Sequence, residues 1–373
     1  MPRFGITRLS RLTGLDRLGI PVWNAVSPNA RSIVINQGKG IADLDAKVSA
    51  AMEALERAVA GRPLVSARRA SRDELAREGE AFLPLNGLVA ARRAVLAGDE
   101  PVDWLPGRDL ATGTRVWVPR DAVALDRTQT APRFWQSSDG LASGNDETEA
   151  ILHGLLERIE RDADRLWRLM PRVRRLATAV DPASLGDAVV DRLAGAMRSA
   201  GLELRLFDIT SDIGVPVFAA LLGEAGILAR TAPLFHGATI GYGAHPAAAR
   251  AAIRALTEVA QSRLTYISGA RDDLFAETFS RPLAAETLAL FAAEPRPAGM
   301  PDAPRGDAAA LLTHCRARLA AAGIAQAVAV PLADATLPVS VVKLVVPGLE
   351  SPEGARRLPL GPRALSRLVF GAS

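Results

Sequence analysis

The sequence is short of several things. Of its 373 residues one is a cysteine, Cys315, three are lysines, Lys39, Lys47 and Lys343, and 5% are aromatic. A single cysteine excludes an internal disulfide and a cysteine zinc cage. No apolar stretch reaches the roughly 18–20 uninterrupted residues a membrane span needs, since the richest, 215–228, contains Glu224. The start, MPRFGITRLSRLTG, carries basic residues without an apolar run, which excludes a secretory signal and gives the expectation of a cytoplasmic protein with no membrane contact. Hydrophobic residues at 49% and charged residues at 23% fall in the globular range and exclude a disordered or collagenous chain.

The scarcity of lysine explains the charge. The net charge is only +4 while the isoelectric point is near 9.8, because arginine fills almost every basic position. Most arginines are interleaved with acids, as in ERIERDADR (157–165), which at helical spacing gives paired charges on a solvated face. The basic stretches lack the aromatic residues on which bases stack, so nucleic acid is not expected as a partner.

What is present is a pattern repeated three times at about a hundred residues. Gly38-Lys39-Gly40 reads as a glycine turn before a helical run with Ser49, Glu53 and Glu56. Ser143-Gly144-Asn145 precedes a second run with Glu149, Glu157, Glu160 and Arg161. Gly241-Tyr242-Gly243 precedes a looser third, with Glu258, Gln261 and Arg263. Gly40 to Glu53 and Gly144 to Glu157 are both steps of thirteen, and both copies continue Glu-x-x-Glu-Arg. Alternating apolar runs at 20–23, 32–35, 115–118, 202–207, 215–218, 327–331 and 339–346 read as strands, giving an α/β chain. The repeats span roughly 14–62, 130–170 and 202–270 of a single compound domain covering 1–373. Residues 64–125 read as an insertion and 295–306 as a flexible Pro-rich loop.

Residues three apart on a helix project to one side, so each Glu-x-x-Glu aims two carboxylates together. A single copy is ordinarily a solvated face with local ion pairs; recurrence at a fixed distance from glycine weighs against that. Five acids brought into one cavity demand arginines or divalent cations, and hard oxygens select Mg²⁺ or Ca²⁺ over zinc, with Mg²⁺ sharing its shell with phosphates. The P-loop frame fails around Lys39 and the G-x-S-x-G elbow is missing. His153 lies four residues from both Glu149 and Glu157; satisfaction by a neighbouring Glu is the plainer account beside a catalytic one. His236, His245 and His314 form no metal spacing.

These residues resemble the YcaO family over essentially the whole chain. The resemblance rests on TGLDRLGIPV (13–22), QGKG with Ser49-x₃-Glu53-x₂-Glu56, SSDGLASGN through ERIERDA (137–163), LTEVAQSRLTYISGARDD (256–273) and VVPGLE (345–350). It implies pseudo-repeated sheet-plus-helix subdomains around a central ATP site. It also implies ATP and Mg²⁺ as cofactors, with metal held by Glu53, Glu56, Glu157, Glu160 and Glu258. Ser49, Asn145, Glu149, Arg161, Gln261 and Arg263 would bind the nucleotide, and Arg8 joins them as a phosphate ligand by position only. No residue is assigned as catalytic. One departure is Asp139, where members usually carry Asn, which puts a contact by residue 139 in doubt.

The implied chemistry is ATP-dependent activation of a backbone amide in a substrate peptide or protein, giving a thioamide with sulfide or an azoline with a Cys, Ser or Thr side chain. The chain shows no fused leader-binding or E1-like module and no Pro-x-Pro-x-Pro tail, which favours thioamidation with a TfuA-like partner over azoline formation with an E1-like one. A non-catalytic nucleotide-binding scaffold is the reading from another class. A homodimer is the expected assembly.

Overall fold

The computed structural model describes residues 2–299, 304–351 and 359–369. Its strands are β1 (Arg8–Arg11), β2 (Val22–Val26), β3 (Ile35–Lys39), β4 (Arg68–Ala70), β5 (Val102–Asp109), β6 (Arg115–Pro119), β7 (Leu141–Gly144), β8 (Ala179–Val180), β9 (Leu202–Asp208), β10 (Val217–Glu224), β11 (Ala238–Ala244), β12 (Val328–Pro331) and β13 (Ser340–Val345). The longer helices are α1 (Asp43–Gly61), α2 (Glu147–Arg168), α3 (Ala188–Ser199), α4 (Ala248–Ser268), α5 (Ala308–Ala321) and α6 (Pro362–Val369). This is the expected mixture of α and β, with every ladder antiparallel.

The chain divides into two compact units. The first comprises Met1–Asn29, Ile33–Ala54 and Trp167–Pro304; the second comprises Ala30–Ser32, Leu55–Leu166 and Arg305–Ser373. The first unit has a three-stranded sheet, β1-β2-β3, and a four-stranded sheet, β11-β10-β9-β8. Its main core joins Val190, Leu193 and Met197 of α3 with Phe218 and Leu222 of β10 and the alanine-rich inner face of α4. The second unit has the sheet β4-β5-β12-β13-β7, with β6 paired to β5. The stretch read as an insertion supplies β4, β5 and β6 of this sheet and the core around Leu75, Trp104 and Trp117.

The glycine segments are not turns. Gly38 and Lys39 end β3, Gly144 ends β7, and Gly241 to Gly243 lie within β11. The reason is the packing of helix on strand. A Cβ on Gly40 would fall 2.6 Å from the Ala46 nitrogen, and one on Gly144 would fall 2.5 Å from the Ala150 nitrogen, each six residues on. Gly38 and Gly241 are tighter, at 2.0 Å from the Ala50 nitrogen and 2.2 Å from the Val259 nitrogen. Each helix therefore lies directly on the backbone of the strand before it, which fixes where its carboxylates point. The strand read at 20–23 begins at Val22, after Pro21, whose nitrogen has no hydrogen for the ladder. Of the loop read at 295–306, residues 300–303 lie outside the described residues.

Candidate functional site

In the second unit α2 is buried along most of its length. From Glu149 to Trp167 only Glu149, His153, Glu157 and Arg161 are less than fully buried. At a spacing of four they form one stripe. Three of the four are residues that the sequence pattern selects. Glu56, on the part of α1 in this unit, is fixed by β7: the Ser143 N–H and hydroxyl both donate to its Oε1, at 2.9 and 2.6 Å.

Glu157 Oε2 accepts the Gly140 N–H at 3.0 Å, and Arg161 donates to Glu157 Oε1 at 3.4 Å. Burial pushes the Glu157 carboxyl above its ordinary value, and nearby Asp139 adds to the rise against the pull of Arg161. Buried Glu160 is 3.7 Å from Arg161. Asp139 lies 3.8 Å from Arg158 and 3.7 Å from Arg161. Burial works to raise its carboxyl, but the two guanidiniums, with Lys343, hold it below the usual range. The position where Asp replaces Asn is thus an anionic link between the helix and the loop before β7. Asn145 donates through its N–H and side-chain amide to Glu149 Oε2, both at 2.9 Å, while Glu149 N–H donates to Asp146 at 2.9 Å. This pair closes the start of α2.

In the first unit, Glu258 receives the Tyr242 N–H at 3.1 Å on one oxygen and the Lys39 ammonium on the other. Gln261 donates to the Gln37 carbonyl at 2.7 Å, and Thr265 donates to the Gln37 side-chain oxygen. Arg263 points elsewhere: it faces Asp16 at 3.7 Å and lines a cleft of about 480 Å³ with Arg17, Arg230 and Ile267. Burial raises the Asp16 carboxyl. Ser49 and Glu53 are half-buried on α1, one turn apart. Arg8 is exposed on β1, opposite Val26, and makes no ion pair among the described residues.

Sequence reasoning missed the partners. The sequence places Lys39 in the QGKG segment and Arg271 in the 256–273 segment without showing a partner for either. Burial works against the Arg271 charge, but bonds to Asp273 at 2.8 and 2.6 Å, with Glu53 and Asp272 nearby, raise its pKa. Gly269, in the left-handed region at the end of α4, was the available signal that the GARDD segment turns off the helix.

The donor set suits Mg²⁺ and a nucleotide. Among the described residues no three of His, Cys, Asp and Glu are grouped as a metal cage. Mg²⁺ does not require one, since it takes one or two carboxylates and completes its shell with water and phosphate oxygens. The carboxylates are hard oxygen donors with arginines close by, and the raised Glu157 is a group that a cation would relieve.

Comparison with known proteins gives the class. Residues 37–350 match the family model of the YcaO cyclodehydratases, described as ATP- and Mg²⁺-binding. The chain is 40% identical over 372 residues to an uncharacterized protein in the tfuA 3′ region of Rhizobium leguminosarum bv. trifolii, covering 98% of this chain and 88% of that one. This chain belongs to the YcaO family, and its cofactors are ATP and Mg²⁺. The fold agrees with that of YcaO from Methanopyrus kandleri, solved with AMPPCP and Mg²⁺, at TM-score 0.71 and 24% identity over 94% of this chain and 87% of that one. It also agrees with a heterocyclase solved with substrate and cofactor, at TM-score 0.72 and 22% identity over 93% of this chain. The chain spans half the length of that heterocyclase. The family makes it an ATP-dependent modifying enzyme. No helix among the described residues is long and apolar enough to cross a membrane.

Proposed function

We propose that this enzyme activates a backbone amide of a peptide or protein and, with a TfuA-like partner that delivers sulfide, converts it to a thioamide. The observation that carries the choice of product is the relative in the tfuA 3′ region, 40% identical over almost the whole chain. When bound, Mg²⁺-ATP supplies the phosphoryl group that turns the amide oxygen into a leaving group. The residues proposed to hold the metal are Glu53, Glu56, Glu157, Glu160 and Glu258, with Ser49, Asn145, Glu149, Arg161 and Gln261 toward the nucleotide.

The protein's own part is positioning and charge compensation. Ser143 holds the Glu56 carboxylate in one orientation, Gly140 does the same for Glu157, and Gln37 fixes the Gln261 amide nitrogen so that its oxygen is the atom presented. Arg161 sits among three carboxylates, Asp139, Glu157 and Glu160, and is the arginine assigned here to a phosphate. Arg263, paired with Asp16, and exposed Arg8 are weaker members of the set.

The family's description as cyclodehydratases supports a second reading, azoline formation on Cys, Ser or Thr. Mass spectrometry separates the two. Purified protein with Mg²⁺-ATP, sulfide, a TfuA-like partner and candidate peptides should exchange one peptide oxygen for sulfur. Loss of one water without added sulfide would establish the azoline instead, and no modification alongside ATP binding would favour a scaffold.

A further inference from the structure

We propose that a cleft in the first unit binds an acidic segment of the substrate, taking one carboxylate side chain on Arg17 and Arg263 and an adjoining apolar side chain on Leu15 and Ile267. The inference rests on the reading that the substrate is a peptide or protein. It gives a role to the TGLDRLGIPV segment, none of which is assigned to metal or nucleotide.

Local geometry presents that segment. Between β1 and β2, Gly14 and Gly19 take left-handed φ values of 98° and 67°, so the chain turns sharply on either side of four residues. Leu18 is buried in the main core with α3, β10 and α4, and the Asp16 carboxylate accepts the Leu18 N–H at 3.0 Å. Leu15 and Arg17, on either side of Asp16, are left exposed.

Three observations point to a ligand. The cleft, about 480 Å³, is walled by this segment, by Arg263 and Ile267 of α4, and by Glu224 and Arg230, and its size is that of a ligand pocket. The Asp16 side chain is only 2% exposed, yet its Oδ2 has no hydrogen-bond partner, and Arg263 Nε, 3.7 Å away, has none either. This is an ion pair without a hydrogen bond, and unmade bonds on buried charged groups are costly. Leu15 and Ile267 add apolar surface to the same cleft, at 55% and 44% exposure.

Charge selects the ligand. Three arginines face two carboxylates in the cleft, an excess of one positive charge, which matches one carboxylate rather than a triphosphate. Arg230 is held by Glu224, whereas Arg17 makes no ion pair among the described residues. The Arg263 guanidinium, 21% exposed, can be reached from the cleft. A carboxylate laid between Arg17 and Arg263 gains charge-assisted hydrogen bonds, and the apolar neighbours favour a peptide over a free acid.

The test uses the full chain and two fluorescein-labelled peptides, one alternating leucine with glutamate and the other leucine with glutamine. By fluorescence polarisation the acidic peptide should bind at least about tenfold more tightly, a difference of about 1.4 kcal/mol. Arg17→Glu, a change at an exposed position, and Arg263→Lys, which keeps the charge beside Asp16 but loses the planar fork, should each weaken it about tenfold. Their affinity for Mg²⁺-AMPPCP should stay within about threefold of wild type. Arg316→Glu, an exposed charge reversal on α5, should leave peptide binding unchanged; an equal loss there would reduce the effect to net charge and overturns the proposal. Equal binding of the two peptides overturns it, as does displacement of the acidic one by free glutamate, which would make this a small-acid site. Loss of Mg²⁺-AMPPCP affinity in Arg263→Lys would assign that arginine to the nucleotide and overturns it too. With a peptide that the wild type modifies, Arg17→Glu should raise KM about tenfold and leave kcat within about twofold. An unchanged KM overturns the cleft while the amide-activation reading stands, and acidic-peptide binding lost in Arg17→Glu by an enzyme that modifies nothing upholds the cleft while that reading falls.

Discussion

One oxygen of Glu56 accepts both the N–H and the hydroxyl of Ser143, at 2.9 and 2.6 Å. Two bonds from one residue of β7 to a single oxygen fix the orientation of this carboxylate. Ser143→Ala removes one bond to a charged group, worth about 1.5–3 kcal/mol. The expected result is a folded protein whose affinity for Mg²⁺-AMPPCP falls about tenfold, measured by calorimetry. Unchanged affinity would remove Glu56 from the metal set.

The pairing of Lys39 with Glu258 joins β3 to α4 inside the first unit, with the ammonium and carboxylate about one-fifth exposed, at 23% and 21%. Lys39→Met takes the ammonium from one oxygen of Glu258 and leaves the Tyr242 N–H on the other. Breaking such a partly buried pair leaves a charge uncompensated, so the ligand-free protein should melt several degrees lower. Added Mg²⁺ should raise the variant's melting temperature more than the wild type's. Equal shifts in the two proteins would show that Glu258 does not meet the cation.

Glu157 predicts a dependence on pH. Because its carboxyl is raised in the folded state, the native protein holds a proton that the unfolded chain releases above about 4.5. Stability from this group therefore falls as pH rises from there through the raised value. Glu157→Gln should flatten the melting temperature over that window and stabilise the ligand-free protein near neutrality. A variant with the wild-type slope would show that the slope comes from other buried acids, such as Asp16 and Asp162, whose carboxyls are also raised.

Ligand linkage gives a fourth test. Mg²⁺-ATP at a hundred times its dissociation constant should stabilise the folded protein by about 2.7 kcal/mol, seen as a higher melting temperature. ATP with a chelator should do far less. Equal shifts would indicate a phosphate site that needs no metal.

Cys315 is buried on α5, and burial pushes its thiol up to about 12. A thiol without thiolate is a poor sulfur carrier. Ellman's reagent should leave the native protein unlabelled and react once on unfolding, and Cys315→Ala should leave modification running. Rapid labelling of the native protein would reopen a persulfide route.

The sequence by itself determined the recurring glycine-to-helix spacing and the side of each helix its acids share. Both follow from local geometry: Gly40 and Gly144 permit a helix to rest on the strand backbone six residues on, and Glu-x-x-Glu spacing aligns carboxylates wherever a helix forms. What only the tertiary structure decided was the partner of each charge. Lys39 and Glu258 are 219 residues apart, and Glu56 and Ser143 are 87 apart, so no periodicity connects them. Helical phase likewise did not show that Arg263 would turn to Asp16 while Gln261 turned to Gln37. Asp139 looked like a lost contact in the sequence, yet the fold sets it between Arg158 and Arg161. The physical reason is that propensity and spacing act over a few residues, whereas a half-buried charge takes its counter-ion from whatever strand or helix the core brings beside it.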